Sequence, residues 1–133
     1  MKFNEVVIGV GSNIDPENNI KVAKQTIAQS HNLIKTSSFI ETQPIGCDNQ
    51  NNFLNGAFLI KTEMDTLTLK SWLKNLEAKL GRVKTENKNG PRTIDLDIIV
   101  WNGEVVDNEV YEREFLLNSI NELLPELNIN KKL

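Results

Sequence analysis

An α+β fold, a mainly antiparallel sheet with helices packed on it, is what this sequence predicts. Three observations lead there. Apolar, β-branched runs at residues 6–10 and 53–62 read as strands. Two stretches, 15–30 and 65–80, place apolar residues at helical spacing behind a capping aspartate. Residues 93–101 alternate apolar with polar and run into Asn102-Gly103, a strong short hairpin signal.

The elements follow in order. Val6-Val7-Ile8-Gly9-Val10 is a short buried strand ended by Gly11-Ser12-Asn13. Gly9 and Gly11 lack the third glycine and the lysine of a nucleotide-binding loop, which excludes Rossmann and Walker readings. Their expected role is close backbone packing at a strand end. Asp15 is expected to cap a helix, with Pro16 and Glu17 suited to its first turn and Ile20, Ala23 and Ile27 on its inner face. His31, the sole histidine, is expected as an exposed helix-end residue. Residues 33–41 form a second strand and 53–62 a third, with polar loops between them. Asp65 caps the next helix, whose stripe is Leu69, Trp72, Leu73, Leu76 and Leu80, with Gly81 at its end. The loop 83–89 has no apolar periodicity. After the hairpin, residues 104–106 return antiparallel and a short last helix covers 118–124, limited by Pro125. The order strand–helix–strand–strand–helix–strand, plus hairpin and final helix, matches a ferredoxin-like sandwich with helices on one face.

At 133 residues the chain is expected to be one domain, 1–133. A formal net charge of −3 argues against a general nucleic-acid binder. The single cysteine, Cys47, rules out an intrachain disulfide, and a reducing cytoplasm is the natural setting. No signal peptide or membrane span is expected, and the chain is expected to act as a monomer.

The chemistry concentrates in Gly90-Pro91-Arg92-Thr93-Ile94-Asp95-Leu96-Asp97. Ile94, Leu96, Ile98 and Val100 fall on one face of the strand. Asp95 and Asp97 fall on the other, roughly 6.6 Å apart along the strand. Two carboxylates held together need a cation between them. Oxygen ligands suit Mg²⁺, and a metal pair about 3.5–4 Å apart serves phosphoryl chemistry. Arg92, just before the strand, is placed to meet a phosphate bidentately. Asn55, polar in an apolar run, either satisfies irregular backbone or reads the donor–acceptor edge of a flat heterocycle. Alternation alone would also explain the two aspartates as the polar face of an ordinary strand.

The string from Gly90 to Asp97 resembles the signature of the 6-hydroxymethyl-7,8-dihydropterin pyrophosphokinases, enzymes of folate synthesis. Separated motifs in the same order extend the resemblance: Gly11-Ser12-Asn13, Ser37-Ser38-Phe39, Phe53-Leu54-Asn55, Glu77, Gly81-Arg82 and Arg113. The resemblance implies that Asp95 and Asp97 hold two Mg²⁺ ions on the phosphates of ATP. It implies a pterin stacked between Phe53 and Phe115 and read by Thr42, Gln43, Ile45 and Asn55. Arg82 and Arg92 would be catalytic residues closing over the triphosphate, and Glu77, Lys84, Ile98 and Arg113 would join them in binding ATP. The pterin hydroxymethyl oxygen would attack the β-phosphorus and AMP would leave.

The chain also departs from that family. A Pro-His segment usually found between the hairpin and the position of Arg113 is missing, Asn89 replaces a tryptophan, Lys84 replaces an arginine, and the tail is short. These differences all fall on the ATP side and imply a reworked, weaker nucleotide site. Two other classes compete: a pterin-binding regulatory or carrier protein that has lost the chemistry, and a ferredoxin-like RNA-binding or sensing module. The retained aspartates and arginines argue against the first. The acidic balance and lack of an aromatic-rich RNA-binding strand argue against the second.

Overall fold

The computed structural model describes residues 2–43, 51–81 and 93–127. Strands β1 (Asn4–Ser12), β2 (Asn32–Thr36), β3 (Ile40–Thr42), β4 (Phe53–Thr62), β5 (Asp95–Trp101) and β6 (Glu104–Val105) form one antiparallel sheet. Their order is β2-β4-β1-β5-β6, with β3 also paired to β4. Helices α1 (Pro16–Ser30), α2 (Thr66–Lys79) and α3 (Glu114–Leu123) pack on it, and 3-10 turns occupy Asn108–Tyr111 and Pro125–Leu127. The α+β, ferredoxin-like class read from the sequence is the one observed.

β1 runs through the middle and is buried on both sides. Val6, Ile8 and Val10 join a core with Ile20, Ala23 and Ile27 of α1 and Leu69, Leu73 and Leu76 of α2. Val7 joins a second core with Ala57, Leu59 and, from α3, Leu116, Leu117 and Ile120. A strand covered on both faces is apolar at successive positions, as β1 is. The expectation of helices on one face therefore holds for α1 and α2 only; α3 covers the other. That helix also starts at Glu114 and not at 118. Leu116, Leu117, Ile120 and Leu123 form a helical stripe that must begin that early to bury all four.

Four further details differ from expectation. Asp15 does not cap α1: its backbone is left-handed (φ 42°) and its side chain makes no cap hydrogen bond. Asp65 does cap α2, accepting from the Thr68 N–H at 2.8 Å. The strand expected over 33–41 is broken between β2 and β3. At the break the Ser37 hydroxyl accepts from the Ala57 N–H at 2.8 Å, and the Phe39 ring lies over Gly56. A Cβ at Gly56 would come within 2.7 Å of that ring, so the glycine is what lets Phe39 close over the sheet.

His31 is buried, not exposed. The residue after α1 takes an extended backbone (φ −136°, ψ 165°). It places its ring edge-on to Trp72, 4.5 Å between centroids, with Nδ1 2.9 Å from the Thr62 hydroxyl. Burial pushes its pKa below the usual histidine value.

The fourth difference is a β-bulge. Val7 pairs with Val100 but Ile8 pairs with Ile98, so Ile99 is the extra residue on β5. Ile99 and Val100 both enter the second core, while Trp101 returns to the first. Strict alternation had put Val100 beside Leu96 and Ile98. The extra residue reverses the faces after position 99 and leaves Asp95 and Asp97 on the side of α3.

Candidate active site

The site grows out of one row of cross-strand neighbours. Gly11 on β1 pairs with Asn55 of β4 on one side and Asp95 of β5 on the other. Two residues along, Gly9 pairs with Ala57 and Asp97. Neighbouring strands lie about 4.8 Å apart, so Asn55 and Asp95 stand about 10 Å apart across a strip without side chains. That strip floors a cavity of about 450 Å³. A Cβ at Gly11 would lie 2.7 Å from the Asn55 Oδ1, and one at Gly9 would touch Ile99 at 3.4 Å. The two glycines thus do more than let strands approach: they leave the space in which a ligand can lie.

One wall of the cavity is the expected pterin side. Thr42, Gln43, Phe53, Asn55 and Phe115 all line it. Asn55 donates through Nδ2 to the Thr42 hydroxyl, which fixes the amide and turns its oxygen toward Gly11. Phe115 reaches the cavity from the first turn of α3, and Phe53 from the start of β4.

The opposite wall is acidic. Asp95 and Asp97 project from the first half of β5, which among the described residues is an edge, because β6 pairs only with Val100 and Trp101. An edge N–H needs a partner, and Glu77 of α2 supplies one: its Oε2 accepts from the Leu96 N–H at 2.7 Å, and the residue is only 4% exposed. Lys74, one turn earlier, places Nζ 3.2 Å from the Glu77 Oε2 and 3.4 Å from the Asp97 Oδ1. Burial pushes the Asp97 carboxyl up to about 6, the Asp95 charge adds to that, and Lys74 partly offsets it. For Lys74, burial is the largest influence and works downward, but the charges of Asp97, Glu77 and Asp95 together outweigh it and raise the pKa.

Of the residues singled out in the sequence, Thr42, Gln43, Phe53, Asn55, Asp95, Asp97, Arg113 and Phe115 share this cavity. Glu77 lies behind it, bonded to strand backbone. Ile98 packs its side chain on the first core. Ile45, Arg82, Lys84 and Arg92 lie outside the described residues, as do the loop 83–89 and Gly90-Pro91. Arg113 sits with its Nε 3.6 Å from the Glu109 carboxylate.

Three charged lining residues were missed: Lys74, Asp107 and Glu109. The Lys74–Glu77 spacing of one helical turn was a usable signal, since residues three apart share a helix face. Asp107 and Glu109 had none, because a 3-10 turn brings them to the cavity.

Two carboxylates on one face suit a hard divalent cation whose remaining ligands are phosphate and water. No group of three or more Asp, Glu, His or Cys side chains able to enclose a metal occurs among the described residues. Two side-chain carboxylates leave most of the coordination of such an ion to other ligands and water. No helix among the described residues is long and apolar enough to cross a membrane.

Comparison with known proteins identifies the family. Residues 7–125 match the model of the family described as 7,8-dihydro-6-hydroxymethylpterin-pyrophosphokinase (HPPK). The 2-amino-4-hydroxy-6-hydroxymethyldihydropteridine pyrophosphokinase of Bacillus subtilis is 36% identical over 135 residues, covering 93% of this chain and 80% of that one. The enzyme of the same name from Haemophilus influenzae is 33% identical over 131 residues, covering 90% and 81%. The folic acid synthesis protein fol1 of Schizosaccharomyces pombe is 34% identical over 131 residues, but these are 90% of this chain and 18% of that longer one. With the family model spanning nearly all of the chain, and a cavity that sets an amide and two phenylalanines opposite an aspartate pair, the chain belongs to the 7,8-dihydro-6-hydroxymethylpterin-pyrophosphokinase family of folate biosynthesis.

Proposed function

We propose that the chain transfers the pyrophosphoryl group of ATP to the hydroxymethyl group of 6-hydroxymethyl-7,8-dihydropterin and releases AMP. The observation behind this reading is the row Asn55–Gly11–Asp95, which sets a heterocycle-reading amide and a carboxylate pair on opposite sides of one bare strip.

Each residue has a definite task. Asn55, held by Thr42, presents its amide to the pterin edge, and Phe53 and Phe115 cover the ring faces. That pose points the hydroxymethyl oxygen toward Asp95 and Asp97. These two aspartates would hold Mg²⁺, two ions in the fullest arrangement, and Mg²⁺ bound there neutralises triphosphate charge. Glu77 keeps the clamp in register by holding the Leu96 backbone. Arg82 and Arg92 are proposed to close on the phosphates, and Lys84, Ile98 and Arg113 to bind the nucleotide. The protein supplies position and electrostatics and forms no covalent bond to substrate. One domain, acting as a monomer in the cytoplasm, suffices for this scheme.

The nucleotide side is proposed to be weaker than in longer members of the family. Asp107 and Glu109 put negative charge beside Arg113 where the triphosphate would approach. Titration with a nonhydrolysable ATP analogue tests this, and affinity equal to that of full-length members refutes it.

Product analysis tests the reaction. Protein incubated with ATP, Mg²⁺ and the dihydropterin should form AMP in step with a pterin diphosphate, and Asp97→Ala should abolish transfer while pterin binding survives. ADP as product refutes the reaction assigned. Pterin binding without turnover points to the regulatory or carrier reading.

A further inference from the structure

Among the described residues two cations line the cavity, Lys74 and Arg113. Arg113 faces Glu109 in the 3-10 segment. Lys74 faces the clamp itself, from the far side of the β5 edge.

The contacts of Lys74 are all long for charge-assisted hydrogen bonds: 3.2 and 3.4 Å to the two oxygens of Glu77, and 3.4 Å to Asp97. Such bonds run about 2.7–2.9 Å when an ammonium is seated on one carboxylate. Lys74 is instead shared, and its side chain is 43% exposed on a four-carbon stem free to swing. Glu77 is anchored separately, accepting from the Leu96 N–H at 2.7 Å. Lys74 therefore holds one oxygen of Asp97, a carboxylate that a divalent ion would need. An ammonium and a divalent ion that share one carboxylate repel each other, and an ammonium leaving Asp97 would remain within reach of a metal-bound phosphate.

We infer that Lys74 is a resident counter-ion of the Asp95–Asp97 clamp, opposing divalent metal in the absence of nucleotide and moving onto nucleotide phosphate when metal enters. This rests on the proposed reading of Asp95 and Asp97 as the metal clamp. Its consequence is a coupling: metal enters more readily with nucleotide than alone, because a phosphate receives the ammonium that Asp97 gives up, whereas metal alone leaves it only Glu77.

The test reads two affinities that move in opposite directions. Mn²⁺ binding without nucleotide is followed by the electron paramagnetic resonance signal of the free ion. Binding of α,β-methylene ATP at saturating Mg²⁺ is followed by calorimetry. Lys74→Gln should bind Mn²⁺ alone on the order of tenfold more tightly at low salt, since a like charge beside the ion is gone. The same variant should bind the analogue roughly three- to tenfold more weakly, having lost a phosphate ligand. Lys74→Arg, which keeps the charge, should bind Mn²⁺ as weakly as the unaltered protein. A Lys74→Gln variant whose Mn²⁺ affinity is unchanged or weaker, or whose analogue affinity is unchanged, overturns the inference and leaves the clamp standing. Asp97→Asn separates the two ideas: if it leaves Mn²⁺ binding untouched, the clamp is wrong and the role of Lys74 falls with it.

Discussion

Replacing Gly11 by alanine should damage ligand recognition more than folding, and Gly56→Ala should do the reverse. Both added methyls meet atoms at 2.7 Å, but the atoms differ in kind. At Gly11 the neighbour is the Asn55 Oδ1, the tip of a side chain that can rotate away, and the next contact is 3.7 Å. The stability lost is then about 1 kcal/mol, the size of the Asn55–Thr42 hydrogen bond that must break. Function loses more, because the amide leaves the position from which it would read the pterin. One or two lost hydrogen bonds to a buried heterocycle correspond to roughly ten- to a hundredfold in the pterin Kd. At Gly56 the methyl meets three atoms of the Phe39 ring, which is packed in the first core 5.9 Å from Phe58. Overpacking a core of that sort costs about 1–3 kcal/mol, with no change at the cavity. Urea denaturation and fluorescence titration with the pterin measure both quantities on both variants. A double variant sharpens the test. If the Asn55 tip is the obstacle, Gly11→Ala should cost almost no stability in an Asn55→Ala background. A Gly11→Ala protein with unchanged pterin affinity, or a cost that persists without Asn55, would refute the reasoning.

Three other outcomes are expected. Divalent-metal affinity should fall about tenfold per pH unit below about 6, since the proton that burial holds on Asp97 must leave before metal binds; Mn²⁺ titrations at pH 5 and 7 giving equal affinities would remove Asp97 from the clamp. His31 has a depressed folded pKa, so the unfolded chain takes up its proton first as pH falls. Its contribution is whole above 6.5 and is lost below, and His31→Gln should flatten the decline in urea stability between pH 7.5 and 5.5. Glu77→Ala strips the Leu96 N–H of its partner and should cost about 1–3 kcal/mol, whereas a loss of nucleotide affinity at full stability would make Glu77 a ligand-binding residue instead.

What the sequence revealed depended on periodicity. β4 has the bounds its apolar run marks, and α2 buries Leu69, Leu73 and Leu76 as its stripe requires. The aspartate pair was legible because period-two alternation holds over residues 94–98. It stops holding at Ile99, and a bulge carries no local signature when both residues involved are apolar. That is why Val100 went to the wrong face while Asp95 and Asp97 did not. His31 was misplaced for a related reason: a lone histidine after a helix looks like a solvated end, and only the return of β4 brings Thr62 to its ring. Lys74 was passed over because lysines on a helix flank are usually solvated, and the Asp97 that it meets lies on a different element. The approach of Asp107 and Glu109 depends on how the chain turns after the hairpin, which no pattern in those residues specifies, whereas the early start of α3 was readable in the stripe Leu116, Leu117, Ile120 and Leu123.

The shortness of β6 ties these features together. A longer β6 would pair with the whole of β5 and satisfy the Leu96 N–H, but it would also lie alongside Asp95 and Asp97 and crowd the approach to them. With β6 limited to Glu104–Val105, the first half of β5 has no strand beside it on that side among the described residues. Open edges carry unpaired backbone groups and invite pairing with other chains. Here α2 covers the edge with charged side chains instead of a strand. Glu77 takes the backbone N–H and Lys74 takes the carboxylate next to it, so one helical turn answers both the backbone's need and the clamp's repulsion. A strand could satisfy only the first, and it could not move aside. The edge is thus closed by a group that a ligand can displace, and a binding site can remain next to the most buried strand of the fold.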